Sequence, residues 1–78
     1  MRATAVSGTV DLRGRSVPLP TARTAVAMAG MRSGDLIEVL TTDRSSLRDV
    51  PVWCRATGNR LVEQTEDGGV YRFIIRKR

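Results

Sequence analysis

Seventy-eight residues, a formal charge of +5, one cysteine and no histidine set narrow limits on what this chain can do. A chain of this length folds as a single domain, 1–78, with a thin core and no room for a deep substrate cavity. Without histidine, imidazole metal sites and histidine-based triads are excluded, and a lone Cys54 cannot close an intramolecular disulfide.

No metal and no cofactor are therefore expected, and three aromatic residues are too few to line a ligand cage. The first residues lack the apolar core of a secretion signal, and no stretch reaches the length of a membrane span. The expectation is a cytoplasmic protein with no membrane partner. Charge is unevenly spread: residues 1–34 hold five arginines against Asp11 alone, while residues 35–78 are nearly balanced. Twelve of the thirteen basic residues are arginine, which suits planar anion contacts. The excess fits an acidic protein partner, nucleic acid, or a solvated face.

In chain order, Thr9-Val10-Asp11-Leu12 alternates polar and apolar and reads as a short strand with Val10 and Leu12 inward. Gly14 breaks it. Pro18 suits a first helical position, where its missing N–H has no intrahelical partner, and Ser16 stands where a cap would. From Pro18 to Ala29, the residues Leu19, Ala22, Val26 and Ala29 recur at helical spacing and predict a buried stripe. Arg23 falls off that stripe. Asp35 to Thr41 is a second strand. Asp43, Ser45 and Ser46 are alternative caps for a helix running to about Thr57, and Ser46-x-x-Asp49 resembles a capping box. Its buried face should carry Leu47, Val50, Trp53 and Cys54, with a kink or a fresh start near Asp49 caused by Pro51.

Asn59 to Glu66 and Val70 to Arg76 read as strands joined at Asp67-Gly68-Gly69, a hairpin signal. The order β-α-β-α-β-β predicts an α/β (α+β) two-layer sandwich with both helices on one sheet face.

The segment Asp11-Leu12-Arg13-Gly14-Arg15-Ser16-Val17-Pro18-Leu19-Pro20 carries the functional reading. A strand ends, a glycine turns the chain, and a Pro-x-Pro pair opens a helix. Position 17 then lies at a helix N-terminus, where free N–H groups and the dipole favour an anion. A cysteine there would be a reactive thiolate. The residue is valine.

With Gly34-Asp35-Leu36-Ile37-Glu38-Val39, Thr42-Asp43, Asp49-Val50-Pro51-Val52-Trp53-Cys54, Thr57-Gly58 and the tail Gly68 to Lys77, the chain resembles the TusA/SirA/YedF-type sulfur carriers from Val10 to Lys77. The resemblance implies a four-stranded mixed sheet, similar to the C-terminal domain of translation initiation factor three. It also implies a persulfide-carrying cysteine in a Cys-Pro-x-Pro motif. Sulfur would come from a cysteine desulfurase or a rhodanese-like protein and pass to another sulfur-relay protein. Pro18 and Pro20 match the motif prolines, Gly14 the turn glycine and Ser16 the residue before the cysteine; Val17 takes the cysteine position. An isopropyl group has no lone pair and forms no persulfide.

Ser16 is a poor sulfur acceptor with no base in view, so capping is the preferred reading. Cys54 matches a second cysteine that many family members carry. Its apolar neighbours predict burial, a raised pKa and low reactivity. Trp53 reads as a core anchor rather than a stacking platform. Arg13, Arg15 and Arg23 flank the loop, as docking contacts or as a solvated face. The docking loop expected from the sequence is thus Arg13, Gly14, Arg15, Ser16, Val17, Pro18, Pro20 and Arg23, with no catalytic residue. The leading expectation is a sulfur-relay module that docks to partners without carrying sulfur. The alternative is a basic RNA- or ribosome-binding module. A free-standing enzyme is disfavoured, because no nucleophile or acid–base pair is present to run a reaction.

Overall fold

Alternation in four short segments and helical spacing in two produce a four-stranded sheet carrying two helices. The computed structural model describes residues 5–15 and 20–78. Strand β1 spans Gly8–Leu12, helix α1 Pro20–Met28, β2 Leu36–Thr41, α2 Ser46–Thr57, β3 Arg60–Asp67 and β4 Val70–Arg76. The sheet order is β1-β2-β4-β3. β1 runs parallel to β2, whereas β4 is antiparallel to both β2 and β3. The mixed sheet is therefore observed as expected.

One sheet face carries the helices. Leu12, Ile37, Val39, Tyr71, Phe73 and Ile75 point to that side and meet Met28 of α1 and Val50 and Cys54 of α2. Val39, Phe73 and Ile75 are fully excluded from water. Each such side chain contributes about 1.5–3 kcal/mol, so this layer dominates the stability of a small fold.

The opposite face bears no helix, yet Ile74 there is also fully buried. Ile74 stands between Glu38 of β2 and Glu63 of β3 in register. Arg72 reaches both carboxylates, and the Thr9 hydroxyl donates to Glu38 at 2.9 Å. Arg72 lies two positions before Ile74 on β4 and so shares its sheet face, where a long arginine stem can cover apolar surface. The Arg72 hydrogen bond is the main reason the Glu38 carboxyl is held below its usual range.

The β3–β4 hairpin closes through Gly68-Gly69, with φ of 59° and 85°. Two successive positive φ values match the twist of the strands and are reached at low cost by glycine.

Four local expectations are revised. The buried face of α1 is Thr24 and Met28, not Ala22, Val26 and Ala29; Val26 is 78% exposed. The helix is alanine-rich, so apolar residues lie around most of it, and the larger Met28 wins the core position beside Met31. Leu19 lies outside the described residues. In α2, Ser46, Val50 and Cys54 are buried, Trp53 packs on the core while partly exposed, and Leu47 remains 37% exposed. That helix runs unbroken through Pro51, with no fresh start at Asp49. No capping box forms at Ser46. Instead the Asp43 carboxylate accepts from the Ser45 N–H and hydroxyl, and the Asp43 carbonyl accepts from the Ser46 N–H and hydroxyl.

Candidate docking site

Because β1 and β2 are parallel, their carboxyl ends lie side by side, and the loops that follow them meet. Leu12 is opposite Thr41, so the Arg13–Arg15 turn adjoins Thr42–Ser45. The β3–β4 hairpin tip points the same way, since Tyr71 is also opposite Thr41. Carboxyl ends of parallel strands are where α/β folds gather their ligands.

The turn is tightly built. Asp11 is its hub: its carboxylate accepts from the Arg13 backbone N–H at 3.1 Å and from the Arg13 guanidinium at 2.9 and 2.7 Å. These bonds, the side-chain pair first, lower the Asp11 carboxyl to about 2. Gly14 adopts φ 76°, which turns the chain away from the sheet. Its N–H donates to Thr42 Oγ1 at 3.0 Å, tying the first loop to the second. The Arg15 N–H donates back to the Leu12 carbonyl at 3.2 Å.

Charge at this end is unequally available. Arg13 is committed to Asp11. Arg15 and Arg44 make no ion pair with a described residue, and with Gly14, Thr42 and Asp43 they line a shallow hollow of about 320 Å³. Sequence reasoning singled out Arg13 and Arg15 as equals and missed Arg44. Arg44 lies 29 positions beyond Arg15, and only the parallel pairing of β1 with β2 brings the two loops together. Arg23 does not join this hollow. It lies on α1 over the outer side of β1, in a separate groove. Ser16, Val17 and Pro18 lie outside the described residues, and Pro20 is the first described residue of α1.

The thiol is elsewhere. Cys54 is 3% exposed within the core, and burial pushes its pKa up to about 11. Among the described residues no acidic or cysteine cluster could hold a metal ion, and no helix is long and apolar enough to cross a membrane.

Comparison with known proteins adds the family. The model of the family described as sulfurtransferase TusA matches residues 8–77. The sulfur carrier protein TusA of Allochromatium vinosum is 37% identical over 68 residues, covering 87% of this chain and 90% of that protein. The sulfur carrier protein TusA of Pseudomonas paraeruginosa is 36% identical over 73 residues, covering 94% of this chain and 92% of that one. The crystal structure of a SirA-like protein from Desulfitobacterium hafniense superposes with a TM-score of 0.76 at 25% identity, covering 88% of this chain and 95% of that one. With its β-α-β-α-β-β order and mixed sheet matched along nearly the whole length, the chain belongs to the TusA family of sulfur carriers.

Proposed function

We propose that this protein is a sulfur-relay module that docks to sulfurtransferase partners without carrying persulfide sulfur itself. Membership of a sulfur-carrier family implies contact with sulfur-relay proteins in general. The finer reading rests on one observation: the chain's single thiol, Cys54, is sealed in the core with its pKa raised to about 11. A buried, protonated thiol is neither an attacking nucleophile nor an accessible acceptor. Val17 stands where the resemblance calls for the carrier cysteine, and its side chain cannot replace it. The hollow around Arg15 and Arg44 supplies the docking chemistry, two guanidinium groups suited to carboxylates on a partner.

A cysteine desulfurase and a rhodanese-like protein are the partner classes proposed. Calorimetry with each enzyme should show binding that Arg15→Glu combined with Arg44→Glu weakens about tenfold, since two charge contacts are reversed. Added to a relay containing a cysteine-bearing family carrier, the protein should slow sulfur transfer by occupying the shared surface. Absence of binding to either enzyme, together with tight, steeply salt-dependent binding to RNA, would replace this reading with the nucleic-acid one.

A further inference from the structure

The two edges of the sheet are treated differently. Edge strand β3 carries Arg60, Glu63, Glu66 and Asp67 and is interrupted by a bulge between Leu61 and Glu63. Charges and bulges of this kind keep a strand edge from pairing with another chain. Edge strand β1, Gly8-Thr9-Val10-Asp11-Leu12, has no bulge, no proline and no lysine or arginine. Its one charge, Asp11, is already paired with Arg13, and Thr9 is bonded inward to Glu38.

Along that unguarded edge runs a groove of about 640 Å³ between the Thr9–Asp11 stretch and α1. Helix α1 contributes Ala22, Val26, Ala27 and Arg23 to it. Ala22 and Val26 belong to the helical stripe that the sequence pattern assigns to a core, but they do not enter the core. An apolar wall, a strand edge that pairs with no other described strand and a cation with no ion pair among the described residues meet at one place.

We infer that β1 is a receptor for an added strand: an extended, acidic segment of a partner protein pairs with its free edge. Backbone hydrogen bonds supply the register, alternate apolar side chains of the segment settle against Val10, Ala22 and Val26, and a carboxylate meets Arg23. The choice of an acidic partner follows from charge. Asp11 is neutralised within the chain, Arg23 makes no ion pair with a described residue, and residues 1–34 carry a net +4. A second copy of this chain would bring the same positive charge against itself. The surface is separate from the Arg15–Arg44 hollow, and the inference holds whether or not that hollow docks a sulfur donor.

The test uses the full ¹⁵N-labelled chain and a synthetic seven-residue peptide alternating valine and threonine with two terminal glutamates. Amide shifts should concentrate in residues 8–12 and 22–27. The same peptide with lysines in place of the glutamates should bind about tenfold more weakly, and Arg23→Glu should invert that preference. Val26→Glu should weaken binding about tenfold while leaving the amide spectrum outside the groove unchanged, because Val26 is a surface residue. The inference fails if the glutamate peptide produces no shifts, or if they centre on Arg15 and Arg44. It also fails if Val26→Glu leaves binding intact. Self-association abolished by Val26→Glu would assign the edge to a second copy, and stronger perturbation of the same amides by a seven-nucleotide RNA would assign it to nucleic acid; either result overturns it.

Discussion

At the scale of single residues, Asp11 in the turn after β1 and Cys54 in the core are each perturbed for a different reason. Asp11 is drawn down to about 2 by the hydrogen bonds from Arg13. A carboxyl depressed in the folded state stabilises it above the unfolded value near 3.8, and that contribution disappears as the pH falls toward 2. A carboxyl-carbon NMR titration should give Asp11 a midpoint about 2, and Arg13→Gln should return it toward the usual aspartate range while Arg15→Gln moves it little. Cys54 shifts the other way, through burial alone. Unfolded chains ionise this thiol near 9 and folded ones near 11, so the native state loses stability relative to the unfolded one across that window. Denaturation in the presence of a reductant should show that loss between pH 9 and 11 in the parent and not in Cys54→Ala. A disulfide reagent at neutral pH should label Cys54 only as fast as the protein opens. The sequence made the buried thiol legible, because Cys54 follows Val52 and Trp53 on an apolar helical stripe. It did not distinguish Arg13 from Arg15. Asp-x-Arg at a strand end becomes a bidentate pair only where the chain turns, here with the Arg13 backbone N–H also donating to the Asp11 carboxylate.

At the scale of elements, periodicity located every strand and both helices, while the orientation of α1 was beyond it. An alanine-rich helix offers several equally apolar faces, and the choice among them falls to whichever large side chain reaches the core, here Met28. The N-cap of α2 is Ser45, one of the three candidates, and it makes no side-chain cap hydrogen bond. Asp43, ahead of the helix, is the acceptor: its carboxylate takes the Ser45 N–H and hydroxyl, and its carbonyl takes the Ser46 N–H and hydroxyl. The hairpin was the clearest local signal, since two consecutive glycines between alternating runs leave few other conformations. Gly69, at φ 85° with open space around it, has no steric neighbour to resist a side chain. Gly69→Ala should therefore cost about 1–2 kcal/mol through backbone strain alone. Thermal unfolding against the parent measures it, and a Gly69→Asn variant should recover part of the loss, because asparagine tolerates positive φ better.

At the scale of the whole molecule, the family fold is retained: the mixed sheet, the two helices on one face and the facing loops at the carboxyl ends of β1 and β2. In the sequence Val17 stands directly before Pro18-Leu19-Pro20, and the chain's one cysteine, Cys54, is buried in the core. The proposed non-carrying role requires that no residue of this chain accept persulfide sulfur. Intact-protein mass spectrometry after incubation with a persulfide donor, with Val17→Cys run in parallel, tests it most directly. Val17→Cys should gain one sulfur and the parent chain none. Sulfur on the parent would mean that Cys54 is reachable and reactive, contradicting both its burial and the non-carrying role.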